Sequence, residues 1–213
     1  VDGSDDATVT LTDADGTAQT AEKGVYSLGF GTYKYTVEAA GFIKEVGQFS
    51  VSSADGEAKT VTVTLRAADA GTWDGTTKTA VTPNAEGIYE IRTGAELAWF
   101  AAQVNAGTGV AYNAKLMNDI SLNWNLWTPI GNSTNKYTGT FDGKGHTITY
   151  LYYSDDNADD EKAAFGYANG ATVKNLTVNG YIKGSWGIGG IFGHAENSTA
   201  ENCTNNAVIE NPA

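Results

Sequence analysis

The residues of this chain that can carry acid–base, nucleophilic or metal chemistry are few and scattered. Asp142 and His146 lie four apart in Phe141-Asp142-Gly143-Lys144-Gly145-His146. General acid–base work there needs a second carboxylate across a groove. Without one the segment reads as a Gly-rich turn with a polar corner. No His-Glu-x-x-His occurs, so the helical zinc site of metallopeptidases is absent, and there is no Gly-rich phosphate loop. Cys203 is the single cysteine, which excludes an internal disulfide framework and a four-thiolate zinc site. Asp13-Ala14-Asp15-Gly16 opens like a calcium loop but lacks the closing Glu, so a plain turn is expected. Asp155, Asp156, Asp159 and Asp160, with Glu161, place five carboxylates in seven residues. Ca²⁺ is the cation such a cluster would take, against the ordinary reading of a solvated charge run. No other cofactor is implied.

Aromatic side chains are the better binding candidates, because an indole face can stack on a sugar ring. Of the five Trp, Trp186 in the turn Gly184-Ser185-Trp186-Gly187 is the one expected to stand exposed, with Tyr181 nearby in sequence. Trp127 is expected to pack inside, and Trp99 to lie off the apolar stripe of its helix, free to meet the first domain. Asn132, Asn175, Asn197 and Asn202 each begin an Asn-x-Thr triplet, the acceptor pattern for glycosylation, and read here as corner residues.

The composition defines what positions these groups. A net charge of −12, from 13 basic and 25 acidic residues, argues against a nucleic-acid partner. No apolar run approaches the roughly 18 to 20 residues that cross a bilayer. Charged residues make up 18%, against roughly 25% in an average domain. Their place is taken by 26 Gly, 27 Thr and many Asn, with 3 Pro, the usage of an extracellular all-β protein. Residues 1–83 contain no Asn and residues 84–213 contain 17, so a domain boundary is placed in the small-residue stretch 66–72. The chain opens on Val1 rather than Met and is expected to be part of a longer protein.

Residues 1–67 alternate as short strands between Gly and Asp turns. Tyr33, Tyr35, Val37 and Ala39 share one face, and Lys34, Thr36 and Glu38 the other. Phe49 and Val51 continue the pattern, and Val61, Val63 and Leu65 are expected to close it as a last strand. A small antiparallel β-sandwich is expected. Downstream, Thr93 and Glu96 form a capping box, followed by Leu97, Phe100, Ala101 and Val104 at helical spacing and Gly107 at the stop. The spacing predicts a helix over 93–106.

A repeat follows. Ala164-Phe165-Gly166-Tyr167-Ala168 matches Ile191-Phe192-Gly193-His194-Ala195 at an offset of 27, which makes the slot of His194 a structural one. Val173-Lys174-Asn175-Leu176 falls on Ala200-Glu201-Asn202-Cys203, and Tyr181-Ile182 on Val208-Ile209. An earlier copy aligns Ile148 to Leu151 with Val173 to Leu176 at an offset of 25. A period of 25 to 27 fits one coil of a right-handed parallel β-helix, with the helix as its N-terminal cap and Asn175 and Asn202 at corners. The expected fold is therefore all-β: the sandwich of 1–67, then a β-helix over 72–213 that continues beyond the C-terminus. Its last coil is expected to fray or to make an end-to-end self-contact.

Two resemblances add to this reading. Gly31-Thr32-Tyr33-Lys34-Tyr35-Thr36-Val37-Glu38-Ala39-Ala40-Gly41-Phe42 resembles Ig-like or carboxypeptidase-regulatory-like spacer modules of bacterial surface proteins. Trp73-Asp74-Gly75, Gly87-Ile88-Tyr89-Glu90-Ile91, Glu96-Leu97-Ala98-Trp99-Phe100, Asn118-Asp119-Ile120-Ser121-Leu122, Trp127-Thr128-Pro129-Ile130-Gly131, 139–148 and Gly189-Gly190-Ile191-Phe192-Gly193 resemble the GLUG-motif β-helix family. Ala164-Phe165-Gly166 and Gly190-Ile191-Phe192-Gly193 depart from the Gly-Leu core of that motif. The resemblance implies a non-catalytic, structural or adhesive segment at the bacterial cell surface, with a glycan or protein of unknown identity as partner. Two alternatives stand beside it: a carbohydrate-binding module that uses Trp186 and Tyr181, and a polysaccharide-cleaving β-helix enzyme, which needs clustered carboxylates or a cation.

Overall fold

The computed structural model describes residues 7–56, 58–69, 71–154 and 161–211. The chain divides into two compact units, Val1–Asp69 and Ala70–Ala213.

The first unit contains β1 (Thr8–Thr12), β2 (Ala18–Gln19), β3 (Ala21–Glu22), β4 (Val25–Tyr26), β5 (Gly31–Glu38) and β6 (Glu45–Val51). Four of them form an antiparallel sheet of order β2-β1-β5-β6, and β3 and β4 form a separate hairpin. The alternation along β5 buries Tyr33 and Val37 with Leu11, and Tyr33 stacks on Phe49 at 5.8 Å. The expected closing strand at 60–65 carries no ladder. Val63 and Leu65 are half-buried and Thr62 and Thr64 exposed, but Val61 is 39% exposed, so the alternation survives in part and without pairing. The chain meets a partner only beyond it, where Ile43 donates to the Arg66 carbonyl at 2.8 Å and Ala68 to that of Gly41 at 2.9 Å. Alternation reports which side chains face apolar neighbours, not whether the backbone is paired.

The second unit is a parallel β-solenoid with one helix near its start. Its elements are β7 (Ile88–Ile91), α1 (Gly94–Asn105), β8 (Asn113–Leu116), β9 (Ile120–Ser121), β10 (Thr140–Asp142), β11 (Thr147–Ser154), β12 (Phe165–Asn169), β13 (Thr172–Lys174), β14 (Thr177–Lys183), β15 (Phe192–Glu196), β16 (Thr199–Glu201), β17 (Thr204–Asn205) and β18 (Val208–Glu210). One face has the order β16-β13-β10-β8-β7, and a second β17-β14-β11-β9, with β18 also on β14. The third face is β12-β15, extended by parallel bridges from Ile130 to Phe165 and from Tyr137 to Ala168. Interior rows of Phe141, Ile148, Phe165, Val173, Val178 and Ile182 are essentially solvent-free.

The 27-residue repeat is the stacking register: Phe165 pairs with Phe192, Val173 with Ala200, Thr177 with Thr204 and Ile182 with Ile209. The earlier copy stacks differently from the expected offset of 25. Ile148 lies on Val178, and Val173 lies on Phe141. The cause is local: the corner after β10 uses Gly143-Lys144-Gly145-His146 where the corner after β13 uses Asn175-Leu176. A bulge between Ile148 and Leu151, with Tyr150 at φ 57°, shifts the rest of β11. Gly180 answers that bulge, since a Cβ there would meet the Leu151 carbonyl oxygen at 2.0 Å.

Helix α1 starts where the capping box places it. Thr93 Oγ1 accepts from Glu96 N at 3.2 Å, and Glu96 Oε2 accepts from Thr93 N at 3.3 Å. Its stripe of Leu97, Phe100, Ala101 and Val104 is buried. Phe100 reaches Tyr137 at 6.0 Å and Phe141 at 6.1 Å, so the helix covers the interior of the first coils. At the other end, β16, β17 and β18 are exposed throughout. Among the described residues no helix is long and apolar enough to cross a membrane.

Candidate functional site on the outer columns of the solenoid

Stacking repeats every coil at about 4.8 Å, so outward side chains line up as columns along the solenoid. On the third face the column is Lys136, Tyr167 and His194. Tyr167 and His194 are register partners whose rings stack at 4.2 Å and 23°. Lys136 Nζ lies 4.2 Å over the Tyr167 ring. Beside them, Glu196 accepts from the Tyr167 hydroxyl at 2.5 Å and from Lys136 Nζ at 3.2 Å, and stands 3.7 Å from His194 Nε2. The Tyr167 hydroxyl, then the Lys136 ammonium, hold the Glu196 carboxyl below its ordinary range. The Glu196 carboxylate, then burial, raise the Tyr167 phenol against the lowering effect of Lys136, and Tyr167 and Glu196 raise Lys136.

Trp186 extends this group. It is 55% exposed, and its ring lies 6.1 Å from His194, tilted by 38°. Tyr181 belongs to another column on the second face, where it stacks on Tyr152 at 6.2 Å and its hydroxyl donates to Glu210. The two aromatics singled out from sequence thus have separate neighbours. The partners of Trp186 were legible in part, because the repeat puts Tyr167 and His194 in one slot. Lys136 lies outside the repeat and carried no signal.

The first face carries a column of alternating sign. Glu90, Lys115, Asp142, Lys174 and Glu201 are successive register partners on β7, β8, β10, β13 and β16. Lys115 Nζ is 3.1 Å from Glu90, and Lys174 Nζ is 3.9 Å from Asp142. Lys115, then Arg92 and Asn84, hold Glu90 below its ordinary range. Burial pushes Asp142 up, but the Asn175 amide, the Lys144 N–H and the charges of Lys144 and Lys174 outweigh it and hold the carboxyl low. His146 does not join Asp142; its Nδ1 is 3.2 Å from Asp119 Oδ1. The segment between them is the turn that its glycines imply.

Corner amides form a further column. Asn175 and Asn202 adopt left-handed φ of 52° and 51°, and Asn197 of 47°. Asn175 Nδ2 donates to Asp142 at 3.0 Å, and Asn202 Nδ2 to Asn175 at 3.4 Å. Asn132 accepts from the N–H groups of Thr134 and Asn135. Cys203 is half-buried against the core, with Sγ 3.5 Å from the Val173 carbonyl. Trp127 is buried and its indole N–H donates to the Ala164 carbonyl at 3.2 Å. Trp99 packs within the solenoid, 5.8 Å from Tyr89. Asn105, which the sequence reading passed over, closes the helix end: its amide donates to the Pro129 carbonyl and its Oδ1 accepts from Gly131 N. A cleft of about 260 Å³ opens beside it among Leu126, Trp127, Pro129, Tyr153 and Glu161.

For the cation candidates, the Asp13 carboxylate accepts from the backbone N–H groups of Asp15 and Thr17 and from the Gln19 amide, inside the β1–β2 turn. Asp155, Asp156, Asp159 and Asp160 lie outside the described residues. Among the described residues no group of three or more His, Cys, Asp or Glu is arranged to hold a metal.

These features define a class: a repeat-built parallel β-solenoid whose outer side chains tie each coil to the next. No protein-family model matches the chain, and no solved structure does. The chain is similar to halomucin of Haloquadratum walsbyi (strain DSM 16790 / HBSQ001), 29% identical over 219 aligned residues. The alignment covers 96% of this chain and 2% of halomucin, so the chain corresponds to a small part of a very long protein.

Proposed function

We propose that this chain is a non-catalytic structural and adhesive segment of a cell-surface protein, of the GLUG-motif β-helix kind and from a bacterial surface. The observation that carries the reading is how the outer titratable groups are used. Glu90, Asp142, Glu196 and Glu210 each contact a side chain one or two coils away, or a near neighbour in the same column, rather than converging on a groove. Acids spent on stacking tie one coil to the next; they are not free to attack a substrate. The similarity to halomucin, a very long protein with a mucin's name, supports a repeat-built surface segment. The test is antibody labelling of intact cells of the encoding organism, alongside reducing-sugar release from a polysaccharide panel. Labelling without release is expected. Labelling only after permeabilisation, or sugar release that tracks the protein, overturns the reading.

One observation favours carbohydrate binding as a second role: the indole of Trp186 stands open beside a fixed carboxylate, ammonium and imidazole. A glycan array with the wild type and Trp186→Ala decides it. Signal lost in the variant supports the role, and no signal above background for the wild type removes it.

A further inference from the structure

Most aromatic rings of the solenoid belong to its core or pack against it. Four along the second face stay outside: Trp124, Tyr150, Tyr152 and Tyr181. Leu126, Tyr152, Tyr181 and Val208 are successive register partners, so an apolar column crosses the middle coils of that face. The rings of Tyr152 and Tyr181 are 6.2 Å apart and 20° from parallel. One step along the chain, the Trp124 ring meets that of Tyr150 at 5.2 Å. Both of these residues hold a left-handed backbone, with φ of 56° and 57°. Bulky side chains avoid that region, and strain of this kind gathers at binding sites.

The column ends in a concavity. Leu126, 60% exposed, also lines the cleft of about 260 Å³, together with Pro129, Tyr153 and Glu161. That volume falls short of the roughly 300 to 1,000 Å³ of a drug-sized pocket and suits a single ring. Among the described residues the Glu161 carboxylate has no hydrogen-bond or ion-pair partner, so its acceptor sites are open to a ligand.

We propose that the column of Leu126, Tyr152 and Tyr181, with its cleft, binds a neutral polysaccharide lying along the solenoid axis. A sugar ring has apolar C–H faces and a rim of hydroxyl groups. The faces pack on the three column side chains, and hydroxyls of the ring in the cleft donate to Glu161. The coil spacing of about 4.8 Å is close to the length of one unit in an extended chain, so successive units meet successive side chains.

Charge and size exclude the other partners. Two steps of the column cover about 10 Å, whereas a stable protein interface buries about 800 Å² on each side. A lipid surface or an anionic chain calls for basic groups. The adjoining column supplies one, Lys183, stacked between Ser154 and Glu210, and the cleft supplies a carboxylate. Glu161 is the only acid of the cleft among the described residues, and hydrolysis takes two, so the site holds a chain without cutting it. It is separate from Trp186 on the third face and does not depend on it.

Native electrophoresis of the full chain through gels containing hydroxyethylcellulose, mixed-linkage β-glucan, galactomannan or starch tests the site, with alginate and polygalacturonate as anionic controls. Retardation by at least one neutral polymer and by neither control is expected. Leu126→Ser combined with Tyr152→Thr should weaken the affinity read from the retardation by about tenfold or more. Tyr181→Thr alone should weaken it in the same direction, and Phe30→Ser, on an exposed side chain of the first unit, should leave it unchanged. Leu126, Tyr152 and Tyr181 lie outside the core, and circular dichroism checks that each variant is folded. Retardation by none of the neutral polymers overturns the proposal, as does equal retardation by the controls. Full retardation of the folded Leu126/Tyr152 double variant overturns it too; if Trp186→Ala then abolishes the effect, the glycan sits on the third face instead.

Discussion

Asn175 donates its side-chain amide to Asp142 Oδ1 at 3.0 Å, although 33 residues separate them in the chain. With Asn202 donating in turn to Asn175, one acid and two amides clamp three successive coils at a corner. The corner demands a left-handed backbone, which Asn tolerates and β-carbon-bearing apolar residues resist by about 1 to 2 kcal/mol.

Asn175→Ala loses both the left-handed tolerance and the clamp, whereas Asn175→Gly loses only the clamp. Urea unfolding should therefore place Ala below Gly by about 1 kcal/mol. Equal midpoints for the two variants would show that the backbone conformation carries no cost there.

Gly180→Ala puts a methyl 2.0 Å from the Leu151 carbonyl oxygen, a backbone atom that cannot swing aside. The solenoid should lose about 3 kcal/mol or more, with the damage centred on β11 and β14. Thermal unfolding together with the exchange rates of amides in those strands checks both the size and the place.

Cys203 should react slowly with a thiol reagent in the native state and at least about tenfold faster in denaturant, because its sulfur faces the core beneath Val173. Equal rates would put the side chain outside. A one-residue slip of the chain through the corner between β16 and β17 would do that, since it turns the following side chains over.

Acid should loosen the start of the second unit. Asp74 accepts from the hydroxyl and N–H of Thr77 and from Thr76, and these bonds lower its carboxyl to about 2 from 3.8. The folded value is the depressed one, so the stabilisation is present above 3.8 and is lost as pH falls through about 2. Asp74→Asn should lower thermal stability at neutral pH and remove part of the fall between those values. An unchanged acid limb in the variant would separate Asp74 from that transition.

Much of the solenoid was legible in the chain itself. The helix was written in Thr93, Glu96 and the spacing of Leu97, Phe100 and Val104, because capping and amphipathic burial act within a few residues. The 27-residue offset gave the partners of Phe165, Val173 and Tyr181, because equal turn lengths return the chain to the same place in each coil. Other features needed the tertiary structure. The corner of four residues at Gly143 to His146 and the bulge at Tyr150 broke the period, so the true partner of Ile148 could not be counted off. The strand expected at 60–65 failed because its alternation had no ladder to join. The outer columns were hidden for a related reason: Lys136 and Glu196 are 60 residues apart and meet only because coils stack. A side chain's alternation along a strand is a local property and shows in sequence, whereas its neighbour along the solenoid depends on every turn length in between.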